Sequence, residues 1–314
     1  LASYRNYHSK RREMARFSVK DSEAYERYSR DVTRQCRFIQ PLLMRTAPNP
    51  ASFKLKDISE IFYLIKKFNE LTPNQMAETI RFWTMSISDY LDEYFENDVI
   101  KASLAVSGII GTALGPMSPG TAYVLLHHYM GEVDGSIGSW GYARGGMGAI
   151  TKALSSSFKS LGGTIITESE VTNVLVNNNS AKGVALKNGN EYYSSTIISN
   201  ADVKRTFLKL VNEKNLPNKF INKVKNFKIR GSSGKVNIGL DSMPEFPAVP
   251  KGDPCLKGVI HFTDSIERME RAYDDWKNGT WSKDPFLDMM IPTATDPTMA
   301  PPGKHFMSCF VQYC

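Results

Sequence analysis

The sequence predicts an α+β fold, and three observations carry that prediction. Apolar residues recur at helical spacing through the first hundred positions, glycine crowds residues 135–148, and beyond residue 164 short β-branched runs alternate with turn signals. The 314 residues leave room for two domains or one large composite domain. A composition 41% hydrophobic and 23% charged excludes a disordered, collagen-like or coiled-coil chain.

In the helical half, Asp21-Ser22-Glu23-Ala24 reads as a helix start with Ser22 as N-cap, continuing through Tyr25, Tyr28, Val32 and Cys36. Asn49-Pro50 is expected to end the next helix, and another follows over 58–68. Thr72-Pro73 supplies an N-cap and a first-turn proline for a helix over 74–85. Ser86-Ile87-Ser88-Asp89 opens one more, with Tyr90, Leu91, Tyr94 and Phe95 on one face. From Ala102 to Gly131 there is no Asp, Glu, Lys or Arg, a length that could span a bilayer. Gly115, Pro116, Pro119 and Gly120 interrupt it, and such a break would strand backbone groups in lipid. Two buried helices around a break are expected, and an apolar tunnel lining for a greasy substrate is the further option.

After the glycines, Ile150, Leu154, Phe158 and Leu161 mark a helix that Gly162-Gly163 ends. Thr164-Ile165-Ile166 reads as a short strand. Strands over 171–176, 183–186 and 191–193 form a meander, the last two joined by a hairpin at Asn188-Gly189. A buried strand at 196–199 and a helix near 203–210 follow. The remainder predicts strands at 235–240, 258–262, 286–291 and 305–313, a helix at 265–277 and a proline-rich loop at 292–303. The expected divisions are a helical substrate or cap region over 1–139, a middle segment over 140–210 and a sheet region over 211–314.

Chemistry is harder to read. The net charge of +7 is scattered, which argues for solvated surface rather than a nucleic-acid partner. Cys36, Cys255, Cys309 and Cys314 form no C-x-x-C pair, which excludes a dithiol or zinc knuckle and fits a reducing compartment. His127-His128 lacks an acidic or cysteine partner at ligand spacing, so no metal site is expected. His261 and His305 sit in strand-like settings and read as structural. No G-x-S-x-G elbow supports a serine hydrolase. The loop Arg144-Gly145-Gly146-Met147-Gly148 running into a helix is the most informative feature, because glycines admit a ligand close to the backbone. It matches neither G-x-G-x-x-G nor a P-loop, and ligand contact and plain turn are equally consistent with it. Glu132, Asp134 and Tyr142 are acid–base candidates that spacing alone does not rank.

Trp140-Gly141-Tyr142-Ala143-Arg144-Gly145-Gly146-Met147-Gly148 resembles the glycine motif of FAD-dependent oxidoreductases related to phytoene desaturases and flavin amine oxidases. The resemblance continues through Gly162-Gly163, Glu170-Val171, Gly183-Val184 and Ser199-Asn200-Ala201-Asp202. Ser118-Pro119-Gly120, Tyr123 to His128 and Asp296 to His305 narrow it to the pyridine nucleotide-disulfide oxidoreductase domain-containing protein 2 group and its bacterial relatives.

The resemblance implies FAD as cofactor, a Rossmann-like FAD domain incomplete in this chain, and a helical and mixed-sheet substrate domain. It places Arg144, Gly145, Gly146, Met147 and Gly148 near the flavin ring, Val171 at the adenine, and Asn200 and Ala201 on the adenosine side. It implies hydride transfer from a small-molecule substrate, an apolar one if the uncharged stretch lines its path. The catalytic residues are not identified. The alternative is a catalytically inactive interaction or regulatory protein on the same fold. The family's N-terminal G-x-G-x-x-G unit and C-terminal flavin-closing segment have no counterpart, and the chain begins without Met. It is therefore expected to be an inner piece that does not retain FAD by itself. Peripheral membrane contact stays open, and the expected compartment is bacterial cytoplasm or mitochondrial matrix.

Overall fold

The computed structural model describes residues 1–2 and 6–314. The chain divides into two units, one of residues 1–146 with 231–314 and the other of residues 147–230.

The first unit begins with helices α1 (Tyr7–Ala15) and α2 (Val19–Ile39). The N-cap of α2 is Ser18, whose hydroxyl accepts from Asp21 N at 3.1 Å, and not Ser22. Ser22 lies one turn inside, where its hydroxyl donates to Arg11 O at 2.9 Å and joins α2 to α1. Asp21 is fully buried, and its two oxygens accept from Glu96 N and Asn97 N at 3.0 and 2.9 Å. No separate helix lies between α2 and Asn49-Pro50: the chain makes only a 3₁₀ turn at Gln40–Leu42, then a loop. Helices α3 (Leu55–Asn69) and α4 (Pro73–Thr84) follow, the latter behind a full capping box between Thr72 and Gln75. Next are α5 (Ile87–Asp92), α6 (Asp98–Ile109) and α7 (Thr121–Tyr129).

The uncharged stretch thus forms two helices around a break, and it is core rather than tunnel wall. Ala102, Leu104, Ala105, Val106, Ile109, Ala122, Leu125 and Leu126 all pack into the apolar interior. A Cβ on Gly108 would stand 2.9 Å from both Ile87 Cβ and Thr121 O, so α6 approaches its neighbours as closely as glycine permits. Thr121 Oγ1 accepts from Ile87 N at 2.8 Å at the same crossing. Among the described residues no helix is long and apolar enough to cross a membrane. A small hairpin that the sequence reading did not anticipate, β1 (Glu132–Val133) and β2 (Ser136–Ile137), leads into the glycine loop.

The second unit holds α8 (Met147–Ser160), the antiparallel meander β3 (Val171–Asn177), β4 (Ser180–Leu186) and β5 (Glu191–Tyr193), then α9 (Val203–Arg205), a π-turn at Thr206–Leu210 and α10 (Asn218–Asn226). Residues 164–166 and 196–199 are not strands. An apolar run becomes a strand only where a neighbour offers N–H and C=O groups to pair with, and here none of the described residues does. Ile198, expected in a buried strand, is almost fully exposed, and Ile150, Leu154, Phe158 and Leu161 on α8 are exposed as well. This unit therefore carries an uncovered apolar stripe.

The chain then returns to the first unit as β6 (Ser233–Leu240), β7 (Val259–Phe262), α11 (Ile266–Lys277), β8 (Phe286–Met290) and β9 (His305–Gln312). The strands form one antiparallel sheet in the order β6-β9-β8-β7. Its far end is tied to the helices through Gln312, whose Nε2 donates to Ile109 O at 2.6 Å. Every strand pair among the described residues is antiparallel, so the fold is α+β and no parallel Rossmann-like sheet is seen.

Candidate functional site

The glycine loop is held by the proline-rich loop of the same unit. Asp296 caps its own turn, accepting from Thr298 N at 3.1 Å, and its other oxygen accepts from Gly145 N at 2.6 Å. That amide and the Thr298 hydroxyl hold the Asp296 carboxyl below its ordinary range. Gly145 and Gly146 both adopt positive φ, 81° and 74°. A Cβ on Gly146 would lie 2.8 Å from Met299 Cε, so the Met299 side chain packs directly on the Gly146 backbone. At the loop's start, Trp140 stacks on His128 with ring centroids 5.9 Å apart and donates from Nε1 to His128 O at 3.1 Å.

Beside this loop the sheet presents a row of polar groups. Strand register sets Lys235 of β6 opposite Phe310 of β9, Phe310 opposite Asp288 of β8, and Asp288 opposite His261 of β7. Residues in register point to one face, so Lys235, Asp288 and His261 share it. Asp288 Oδ1 stands 3.8 Å from His261 Nδ1, a nitrogen that has no hydrogen-bond partner. Burial pushes the Asp288 carboxyl up to about 6, with the Lys235 charge pulling weakly the other way. Burial holds the His261 imidazole down at about 4. Phe286 stacks against that imidazole at 6.0 Å. Tyr142 of the glycine loop senses the Asp288 charge, and desolvation together with that charge raises its hydroxyl above the ordinary range.

Of the three acid–base candidates, only Tyr142 borders this row. Glu132 and Asp134 are exposed on the β1–β2 hairpin. Asp288 and Lys235 were not singled out by sequence, since their significance comes from cross-strand register. His261, read as structural, is the partner of Asp288. Among the described residues no group of three or more His, Cys, Asp or Glu side chains could hold a metal ion.

Arg144, Gly145 and Gly146 belong to the first unit, and Met147, Gly148, Val171, Asn200 and Ala201 to the second. Gly148 lies in the first turn of α8, where an added Cβ would meet nothing. Val171 opens β3 opposite Leu186. Ala201 O accepts from Thr206 Oγ1 at 3.2 Å, and Asp202 caps the following turn by accepting from Arg205 N at 2.9 Å. Asn200 is exposed. Among the described residues no hydrogen bond joins these three segments of the second unit to one another. The loop fits a flavin in one respect, since the left-handed glycines Gly145 and Gly146 present backbone with no Cβ to hold a flat ring off. One amide, that of Gly145, is already taken by Asp296.

No protein-family model matches the chain. Over 96% of its length it is 35% identical to pyridine nucleotide-disulfide oxidoreductase domain-containing protein 2 of Mus musculus, covering 54% of that protein. It is 25% identical to prolycopene isomerase 1, chloroplastic, of an Oncidium hybrid cultivar, over 82% of the chain and 40% of that protein. It is 23% identical to the lycopene-forming phytoene desaturase of Pantoea ananas over 50% of the chain and 30% of that protein. The chain spans about half the length, or less, of the curated relatives it matches. Among solved structures it resembles an oxidoreductase from Methanosarcina mazei, with TM-score 0.50 and 17% identity over 83% of the chain and 53% of that structure.

Proposed function

We propose that the chain belongs to the superfamily of flavin-dependent oxidoreductases that includes the phytoene desaturases and forms part of an enzyme oxidising a small organic molecule. FAD, when bound, supplies the hydride acceptor. In this reading Arg144, Gly145, Gly146, Met147 and Gly148 border the flavin ring, Val171 contacts the adenine, and Asn200 and Ala201 flank the adenosine. The uncovered apolar stripe on α8, with the unpaired segments 164–166 and 196–199, supports a Rossmann-like domain completed by a further strand-bearing segment of the full-length protein.

The observation that carries the reading is the Asp288–His261 pair set beside Tyr142 of the glycine loop. Removing a hydride from a C–H or N–H bond leaves a proton to be taken from the neighbouring atom. A carboxylate that holds its proton up to about pH 6 is a competent acceptor near neutrality. Asp288 takes that proton on a carboxylate oxygen in this scheme, and His261 stays neutral beside it. The polar row favours a substrate with a polar atom at the reacting carbon. The uncharged stretch gives an apolar substrate no support, since its side chains are spent on the core.

Purified full-length protein should be yellow, with a flavin absorbance band that survives gel filtration and yields free FAD on acid precipitation. Colourless protein that stays colourless after incubation with FAD would sink the enzyme reading in favour of a binding or regulatory protein.

A further inference from the structure

Helices α2, α4 and α5 border a cleft of about 520 Å³ within the first unit, and none of its lining residues belongs to the glycine loop or the sheet. Its floor is rich in acceptors. Gln35 is 4% exposed and donates from Nε2 to Thr79 Oγ1 at 3.0 Å, whereas its Oε1 is buried without a hydrogen-bond partner. One turn away on α2, Asp31 accepts from Tyr94 Oη at 2.9 Å on one oxygen, and its other oxygen lies 3.4 Å from Arg34 Nη2. A buried acceptor left unpaired costs stability, which a ligand donor arriving there would recover.

The rim is the reverse, for four arginines line the cleft against three carboxylates. Arg34 is engaged by Asp31 and, at 2.9 Å, by Glu78, and Arg81 is engaged by Glu93. Arg27 and Arg30 pair with no carboxylate among the described residues. Arg27 donates one N–H to Glu93 O at 2.8 Å and lies 4.7 Å over the Tyr94 ring, contacts that hold the guanidinium but leave its charge uncompensated. Arg30 stands three positions on, its neighbour on the surface of α2. Two adjacent guanidinium forks suit the three oxygens of a phosphate, which can accept from both.

We propose that this cleft binds a small phosphate monoester that carries hydroxyl groups. Its phosphate sits on Arg27 and Arg30, and a hydroxyl donates to Gln35 Oε1, with Asp31 as a second acceptor. Every group used belongs to the first unit, and none takes part in the oxidation scheme.

Isothermal titration calorimetry of the full-length protein with glycerol 3-phosphate tests it. Saturable binding at one site per chain is expected, weakened by added salt. Arg30 is exposed and unpaired, so Arg30→Ala should weaken binding about tenfold or more while the thermal midpoint stays unchanged. Methyl phosphate, which lacks a hydroxyl, should bind less tightly than glycerol 3-phosphate, and Gln35→Leu should erase that preference. If Gln35→Leu does not fold, the wild-type preference and Arg30→Ala still decide. No saturable binding would overturn the proposal, as would binding that Arg30→Ala leaves unchanged. Methyl phosphate binding as tightly as glycerol 3-phosphate would remove the role of Gln35, and malate binding as tightly would assign the arginines to a carboxylate instead.

Discussion

Asp288 and His261 face each other across β8 and β7 with Oδ1 and Nδ1 3.8 Å apart, and burial moves their proton affinities in opposite directions. In the folded chain Asp288 keeps its proton up to about pH 6, whereas its ordinary value is 3.8. This group therefore costs stability as pH rises through that window. His261 ordinarily binds a proton below 6.5, but the folded chain refuses it until about 4. Its neutral form contributes stability that is lost as pH falls through the same window. Between the two values one proton sits on Asp288 when folded and on His261 when unfolded, so the two slopes nearly cancel.

Removing either partner should expose the other slope. The Asp288→Asn variant is expected to gain about 2–3 kcal/mol of stability between pH 4 and 6.5, from the His261 shift alone. The His261→Gln variant should lose a similar amount over pH 4 to 6. Urea unfolding midpoints at pH 4.5 and 7 read both. Profiles parallel to wild type in both variants would show that the pair is not coupled to folding in this way.

The same carboxyl gives a kinetic signature in the full-length enzyme. If Asp288 accepts the substrate proton, flavin reduction should accelerate as pH rises through about 6, since only the carboxylate can take it. Asp288→Asn should slow reduction by roughly 10²–10⁴-fold and abolish that acid limb, while the flavin absorbance band stays in place. A slowed variant that keeps the same acid limb would assign the titration to another group.

The glycine loop depends on its clamp. Asp296→Ala removes the acceptor of the Gly145 amide and the cap on Thr298, so residues 140–146 should exchange amide hydrogen faster and the loop should become susceptible to protease. Gly146→Ala acts differently. Its φ of 74° disfavours any Cβ, at about 1–2 kcal/mol, and the new methyl meets Met299 Cε at 2.8 Å. Adding Met299→Ala should relieve the contact but leave the backbone cost. Full recovery in that double variant would place the whole penalty in the contact.

These tests fall on residues of unequal legibility in sequence. The loop at Gly145 and Gly146 stood out because glycine density is a local signal. Asp296 drew notice only through resemblance, as part of a segment 151 positions away from Gly145. Asp288 was invisible because its environment is made by register across four strands, which no local spacing encodes. Helices showed through their apolar periodicity, yet Ser22 and Ser18 both suit an N-cap and only the packing of α1 on α2 separates them. The runs at 164–166 and 196–199 mislead for the opposite reason. Their composition suits strands, but pairing is a property of a neighbour, and the described residues provide none.

Gln312 tests how the sheet is joined to the helices. Its side chain is fully buried, with Nε2 donating to Ile109 O at 2.6 Å and Oε1 accepting from Gly111 N at 3.2 Å across the end of α6. Tyr313 Oη donates to Leu114 O at 2.7 Å alongside. Gln312→Ala strands a buried amide and a carbonyl and opens a cavity, so a loss of about 3–5 kcal/mol is expected. Gln312→Met restores the volume without the bonds and should recover only the cavity part. Gln312→Glu keeps an acceptor for Gly111 N but sets a buried charge against the Ile109 carbonyl. Its stability should therefore fall as pH rises, because the protonated acid alone can donate where the amide did. Calorimetry of the three variants at pH 5 and 8 separates the contributions: equal losses in Gln312→Ala and Gln312→Met would place the energy in the hydrogen bonds, and full recovery in Gln312→Met would place it in packing.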